Sequence, residues 1–358
     1  MNFLFLCGSL QPGLDGVGDY TRRISGALIR NGHIANVLSL CDKHVSSFVQ
    51  QIQEIENTKI AVTRIPLSAS YRQRLAFTQK IIAKEQPDII SLQFVPYSFN
   101  PKGLPFWMPS FLKKIRGNYK WHIMFHELWL GIDNESSLKH KFIGELQQLI
   151  VKKIINTTKT DYISTQIKLS QLFLYINHIE AEILPICGNI PVTAVKKKLL
   201  GFTQFVLFGT IHEAAPLESF IEDLIRNPYL FDKPIKFVFV GDNGLKLIFY
   251  TSILLKYNIA YEVMGIQSEK VISQVLLDST FGISTTPYYQ TEKSGVYAAY
   301  REHQLTTICI GRKWTPVRGQ FEIPQIIRYK VNNLNFEVKS AIPYDLNCMM
   351  NQFLKIIS

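Results

Sequence analysis

Short apolar runs alternate with amphipathic stretches along most of the chain, the pattern of parallel βα units whose strands are buried on both faces. In the first half the runs predict strands over 2–7, 34–40, 59–65, 88–94, 121–125, 161–165 and 182–184. Between the first two, Asp19 to Asn31 carries Tyr20, Ile24, Ala27 and Leu28 at helical spacing, and Asn31 with Gly32 stops that helix. Arg72 to Glu85, closed by Pro87, and Leu138 to Lys159 predict two more helices. The second half predicts strands over 204–209, 235–241, 259–263, 280–284 and 306–310. Helices are predicted over Leu217–Arg226, 244–256, 268–278 and 294–303. Residues 341–358 place Leu346, Met349, Met350, Phe353, Leu354 and Ile357 at helical spacing.

One break interrupts this alternation. Pro185 to Pro191, followed by Lys196-Lys197-Lys198, reads as a linker. A chain of 358 residues also exceeds one ordinary core. The expected architecture is α/β, with one domain over 1–190, a second over 191–340 and a terminal helix over 341–358.

Composition narrows the partners. Apolar residues make up 47 % and charged residues 19 %, which describes a globular chain. No apolar run approaches the ~18 residues of a membrane span. Met1 to Cys7 lacks a basic leader and runs straight into Gly8-Ser9, so it reads as a first buried strand. Five scattered cysteines form no CxxC pair and suit a reducing cytosol without structural zinc. The net charge of +11 favours anionic partners: a phosphorylated small molecule, an acidic membrane surface or nucleic acid. Its basic clusters are too short to be a nucleic-acid arm.

The candidate chemistry lies at predicted strand ends and helix starts. Thr291-Glu292-Lys293-Ser294-Gly295 delivers a lysine, a hydroxyl and a glycine to the first turn of a helix. Free N–H groups, the positive end of the helix dipole and an ammonium group there suit an anion. Gly13-Leu14-Asp15-Gly16-Val17-Gly18-Asp19-Tyr20 follows the first strand, with Asp19 as the expected N-cap. That loop is not GxGxxG, and only Asp42 stands near the second strand end, so a dehydrogenase is disfavoured. His126-Glu127 follows the strand 121–125, where a histidine can donate to a sugar hydroxyl and a glutamate can accept; His122, inside the strand, reads as structural. In Phe208-Gly209-Thr210-Ile211-His212, Gly209 lets backbone approach a ligand and Thr210 can donate to a phosphate oxygen. Gly241-Asp242-Asn243-Gly244 and Met264-Gly265-Ile266 hold equivalent strand ends, and both could border the same cleft, with the ordinary-turn reading weighted higher for Gly241 to Gly244. No Asp-x-Asp metal clamp and no Gly-x-Ser-x-Gly nucleophile occurs.

Together these segments resemble the GT-B glycosyltransferases, most closely the large retaining, family-4-like group. Gly16 to Arg23 is similar to that family's acceptor-side loop and helix, and Phe125-His126-Glu127-Leu128-Trp129 to its donor-sugar histidine segment. The resemblance spans most of the chain and is strongest at 1–30, 121–130 and 281–310. It implies two Rossmann-like α/β domains facing each other across a cleft, with a nucleotide-diphosphate sugar held mainly by the second. It also implies that the terminal helix crosses back to the first domain. Lys293, Ser294 and Gly295 would hold the diphosphate, Glu292 or Thr291 would face the sugar hydroxyls, and His126 would contact the sugar. The catalytic set implied is His126, Lys293 and Glu292. Gly16 and Gly18 would border the phosphates, with Asp15, Asp19 and Glu127 on the acceptor side. Gly209 and Thr210 would line the donor, while Gly265 and Ile266 would meet the base through their backbone. The sequence departs from the family at two points. The second glutamate of the Glu-x7-Glu signature falls at Ala299 or Tyr300, with Glu302 one turn farther on as the substitute ribose ligand. The usual basic pair after the first strand of the second domain is replaced by Thr210-Ile211-His212-Glu213, and Lys293 supplies positive charge instead.

The activity implied is metal-independent, retaining, hexosyltransferase-like transfer to a glycan, lipid-linked or small-molecule acceptor. It needs no cofactor beyond the nucleotide sugar as substrate, and belongs to glycan biosynthesis. The expected place is cytoplasmic, with peripheral attachment to the inner face of an anionic membrane. Three alternatives stand beside it: a non-catalytic GT-B-like binding protein, a nucleotide-sugar epimerase, and a nucleic-acid-modifying glycosyltransferase kept open by the +11 charge.

Overall fold

A computed structural model describes residues 1–193, 201–334, 336 and 341–358, and the Lys196–Lys198 run lies outside them. The chain divides into two compact units, Met1–Pro185 with Leu346–Ser358, and Ile186–Asp345.

The first unit opens β1 (Asn2–Cys7), α1 (Gly16–Arg30), β2 (Ile34–Asp42), β3 (Val49–Ile55), β4 (Thr58–Pro66) and α2 (Tyr71–Glu85). It continues β5 (Ile89–Phe94), α3 (Pro96–Phe99), α4 (Met108–Lys114), β6 (Lys120–Phe125), α5 (Leu138–Thr158), β7 (Tyr162–Thr165), α6 (Lys168–Ile176) and β8 (Glu182–Ile183). The sheet order is β3-β4-β2-β1-β5-β6-β7-β8, and every pair is parallel except β3 with β4. Residues Phe3 to Cys7 are fully buried, as a central parallel strand covered on both faces requires. The order reverses between β1 and β5, which opens a crevice beyond their carboxyl ends.

Two expectations change here. Asp19 is not the N-cap of α1: the helix begins a turn earlier because Asp15 Oδ1 accepts the Gly18 N–H at 2.7 Å. Asp19 instead accepts from Gly13 N at 3.2 Å and pairs with Arg22. The strand β3 was not expected, because Val49-Gln50-Gln51-Ile52-Gln53-Glu54-Ile55 reads as polar surface. It forms by hairpin pairing through Glu56 and Asn57, both left-handed at φ 48° and 58°. The short helices α3, α4 and α6 were likewise not expected.

The second unit holds β9 (Thr203–Phe208), α7 (Leu217–Arg226), β10 (Ile235–Val240), α8 (Lys246–Lys256), β11 (Ala260–Gly265) and α9 (Glu269–Asp278). Next come β12 (Phe281–Ser284), a 3₁₀ turn (Tyr288–Lys293), α10 (Gly295–Glu302), β13 (Thr306–Cys309) and β14 (Ile326–Arg328). All strands are parallel in the order β11-β10-β9-β12-β13-β14, a doubly wound sheet that reverses between β9 and β12. The strand period of two sorts its core. Phe205 and Leu207 face a cluster with Phe220, Phe237 and Phe239, while Val206 faces one with Leu276, Ala299, Tyr300 and Leu305. The last helix, α11 (Leu346–Ile356), belongs to the first unit, where Phe353 packs against Phe3 and Phe5. It starts later than the 341–358 pattern suggests, three residues beyond Pro343.

Candidate functional site

In the second unit the site is built around the switch point between β9 and β12. Three neighbouring strands each end in a left-handed glycine: Gly209 at φ 69°, Gly241 at φ 88° and Gly265 at φ 64°. Gly209 N donates to Val240 O at 2.9 Å, and Gly241 N donates to Gly265 O at 2.7 Å. The ladder therefore continues one residue past β9 and β10, and with Gly265 at the end of β11 side-chain-free backbone forms the rim. Asn243, 3 % exposed, donates to Gly209 O at 2.8 Å and fixes this rim from beneath. Across the switch point, Thr285 Oγ1 accepts from His212 N at 2.9 Å and lies 3.1 Å from His212 Nδ1.

The first turn of α10 adjoins that rim. A Cβ placed on Gly209 would lie 3.4 Å from Val296 Cγ2, so the two segments are in contact. Lys293 ends the 3₁₀ turn with an exposed side chain. Ser294 occupies the N-cap position but makes no side-chain capping bond, which keeps its hydroxyl beside the first-turn N–H groups without covering them. Gly295 is exposed, and a Cβ there would meet nothing within 4 Å. A lysine, a hydroxyl, uncapped amides and open backbone make a site that can accept a phosphate-bearing group. Tyr300 anchors the helix behind it: fully buried, its hydroxyl accepts from Phe208 N at 3.0 Å and lies 3.1 Å from Val206 O.

Two residues assigned to the donor face elsewhere. Thr291 is fully buried, and its hydroxyl points back to Thr286 O at 3.3 Å and Pro287 O at 3.2 Å, so it presents no group to a sugar. Glu302 lies about 10 Å along the axis from the start of α10. Its carboxylate accepts the Gly188 N–H at 2.5 Å, so it braces the 186–190 segment and does not reach a ribose at the other end. Ala299 and Tyr300, where the missing glutamate aligns, are both core residues. Glu292 is half-buried and Thr210 exposed; Gly265 and Ile266 lie on the rim, with Ile266 82 % exposed.

In the first unit His126 sits just past β6 with both ring nitrogens engaged. Nε2 lies 2.8 Å from Gln93 Oε1, and Gln166 Nε2 lies 2.8 Å from Nδ1. The bonds continue through Gln93 Nε2 to Ser91 Oγ at 2.7 Å, Ser91 Oγ to His122 Nδ1 at 2.7 Å and His122 Nε2 to Ser164 Oγ at 3.0 Å. Read from Gln166 to Ser164, every donor meets an acceptor when both histidines are neutral and carry their proton on Nε2. Burial pushes both histidines down to about 3. The Tyr20 ring stands edge-on to His126 with centroids 4.8 Å apart, which brings the first turn of α1 and His126 together. Gly18 is needed in that turn, since a Cβ would lie 2.5 Å from Ser9 O. Gly16 and Glu127 are exposed, and Asp15 is half-buried with its carboxyl raised by burial against the opposing Gly18 hydrogen bond.

The two neutral rings set a pH dependence. The unfolded chain takes up these protons near pH 6.5 and the folded chain refuses them. Their contribution to stability is therefore complete above about pH 6.5 and declines as the pH falls toward about 3. Ring ¹⁵N shifts of His122 and His126 are expected to stay in the neutral, Nε2-protonated pattern down to about pH 4. A ring that titrates near 6.5 in the folded protein would remove this assignment.

Sequence reasoning weighted the 241–244 strand end toward an ordinary turn, whereas Gly241 and Asn243 shape the rim, and it missed Thr285, Gln93 and Gln166. One signal was available: Phe208-Gly209, Val240-Gly241 and Met264-Gly265 repeat the same apolar-to-glycine step at three successive strand ends.

No protein-family model matches the sequence, and neither does any curated protein. Solved structures do. The chain is similar to the sucrose-phosphate synthase (tll1590) of Thermosynechococcus elongatus at TM-score 0.57 and 14 % identity, over 100 % of this chain and 90 % of that one. A glycosyltransferase of Rickettsia africae matches at TM-score 0.54 and 14 % identity, over 99 % and 88 %. Two doubly wound units and these neighbours decide the architecture. The fold is GT-B. The UDP-GlcNAc 2-epimerase of Methanocaldococcus jannaschii shares it at TM-score 0.50 and 12 % identity, over 100 % and 99 %, so GT-B alone does not select a reaction. Among the described residues, no group of three His, Cys, Asp or Glu side chains is placed to hold a metal ion. No described helix is long and apolar enough to cross a membrane.

Proposed function

We propose that this chain is a glycosyltransferase that takes a sugar from a nucleotide-diphosphate sugar and transfers it with retained anomeric configuration. The observation that carries the reading is Lys293 beside the uncapped first turn of α10, at the switch point of a glycine-rimmed parallel sheet. The Ser294 N–H is taken by Thr291 O at 2.9 Å, so the Lys293 ammonium, the helix dipole and the amides at 295 and 296 stabilise the leaving diphosphate as its charge develops, a preorganised role that needs no metal. The departing phosphate oxygen accepts the acceptor proton. Glu292 accepts from sugar hydroxyls, and the rim at Gly209, Thr210, Gly265 and Ile266 meets the nucleotide. His126, Asp15, Asp19 and Glu127 are assigned to the sugar and acceptor. His126 takes that part by exchanging its Gln166 bond for a sugar O–H that donates to Nδ1. Two neighbours support a nucleotide sugar: one is a sucrose-phosphate synthase, and Alr3699/HepE of Anabaena was solved with UDP.

A membrane partner has its own support. The outer face of α5 carries exposed Leu138, Phe142 and Leu149 among exposed Lys139, Lys141, Lys152 and Lys153, a composition suited to an anionic bilayer surface. Salt-sensitive co-sedimentation with anionic vesicles checks it, and equal binding to neutral vesicles would oppose it.

The function is tested by incubating the purified chain with a panel of nucleotide sugars, with and without EDTA, and measuring free nucleoside diphosphate. Slow release that rises when an acceptor extract is added supports transfer. Conversion of the sugar without release favours the epimerase reading, and a panel left intact leaves only a binding protein.

A further inference from the structure

The free edge of the second sheet carries a helix face that no described residue covers. β11 is the last strand of its sheet, and α8 leads into it, packing against α7 and β11. The inner side of α8 is conventional: Tyr250, Ile253 and Leu254 are buried in the unit's core. The outer side is not. Leu245, Ile248, Phe249 and Leu255 are 93, 77, 54 and 66 % exposed. At helical spacing these four and Ser252 share one stripe about 120° wide. Single exposed apolar residues are ordinary, but four aligned on one helix mark a contact surface.

The charges around the stripe select the partner. Lys246 pairs with Glu213 at 3.1 Å, Lys256 with Glu218 at 2.6 Å and Lys236 with Glu262 at 2.7 Å. The stripe is thus apolar and framed by charges already matched within the chain. An anionic membrane or a nucleic acid would gain little there, in contrast to the lysine-flanked face of α5. A neutral apolar stripe is complementary to itself, which is what a two-fold contact between identical subunits requires. The adjoining strand adds to the need for cover. β11 pairs with β10 on one side only, and its Val263 is 46 % exposed.

We propose that α8 is the interface of a homodimer, packed antiparallel on α8 of a second copy about a two-fold axis near Ser252. Ser252 is the small residue at which the two helices approach most closely. Phe249 of each copy then meets Leu255 of the other, and Ile248 lies on the aliphatic stem of Lys256. The stripe offers on the order of 500 Å² per copy. Two such faces bury about 1,000 Å², the lower limit for a specific contact. The dimer is therefore weak, with a dissociation constant of roughly 1–100 µM.

Sedimentation velocity on the full chain tests this between about 1 and 200 µM, at low salt and in 1 M NaCl. The expected mass rises from 41.1 kDa toward twice that value with concentration, and the rise survives salt because the contact is apolar. The double variant Ile248→Glu with Leu255→Glu is expected to remain at 41.1 kDa with an unchanged melting temperature, since both side chains are exposed. The milder pair Ile248→Ser with Leu255→Ser is expected to weaken association at least tenfold, and decides the matter if the glutamates impair folding. A wild-type chain that stays monomeric at the highest concentration overturns the proposal. So does a dimer that both variants leave intact, because its interface then lies elsewhere. A monomeric wild type that floats with neutral phosphatidylcholine vesicles, while the variants do not, would assign the stripe to a bilayer instead.

Discussion

Replacing Asp42 by alanine is expected to destabilise the first unit by about 3–5 kcal/mol, the cost of leaving a buried charge without its partner. Asp42 is fully buried at the end of β2 and takes both Arg64 Nε at 2.8 Å and Arg64 Nη2 at 3.0 Å. It also accepts the Leu10 and His44 amides, each at 3.0 Å, and the Ser9 and Ser39 hydroxyls at 3.3 and 3.2 Å. One carboxylate therefore closes the loop after β1 against β2 and β4. Arg64 is 5 % exposed, so its guanidinium cannot recover the lost bonds from water. Burial works to raise the Asp42 carboxyl, but the Arg64 hydrogen bond and the His44 and Leu10 amides outweigh it and hold the carboxyl below its usual range. The pH sign follows. The contribution is present above the unfolded value near 3.9 and is lost as the pH falls through the lower folded value. Urea unfolding at pH 7 is expected to show the full deficit of Asp42→Ala, and the gap between variant and wild type should narrow below about pH 4. A variant within 1 kcal/mol of wild type at pH 7 would contradict this role.

The second large effect concerns turnover. Lys293→Ala is expected to lower the rate with a nucleotide sugar by about 10²–10³, or roughly 2.7–4 kcal/mol of transition-state stabilisation. The side chain is exposed, so the variant is expected to keep the wild-type unfolding midpoint. If the loss appears in KM alone, Lys293 binds donor and transition state equally and does not assist departure of the diphosphate. A variant as active as wild type would remove Lys293 from the site.

The fold was legible because its evidence is local. The strand around Phe3 to Cys7 and the helical face of Tyr20, Ile24, Ala27 and Leu28 each declare themselves within a few residues. β3 escaped because its polar residues gain order only from pairing with β4. The candidate site was less legible because partners distant in sequence define it. Glu302 is claimed by Gly188, 114 residues away, and the bonds that occupy His126 come from 33 and 40 residues away. Thr291 looked available in a polar turn, but the carbonyls of Thr286 and Pro287 turn its hydroxyl inward. The place of Lys293, Ser294 and Gly295 at a helix start could be read in advance, because a turn feeding an apolar-periodic stretch declares itself locally.

The most direct test of the central reading is a metal-free thermal-shift titration with UDP, GDP, ADP and their sugar conjugates. A bound ligand at a hundred times its dissociation constant stabilises by about 2.7 kcal/mol, enough to read without any knowledge of the acceptor. At least one nucleoside diphosphate is expected to raise the melting temperature of the wild type in a dose-dependent way, and to shift Lys293→Ala far less. No shift with any of them, or an equal shift in both proteins, would contradict a diphosphate site at the start of α10.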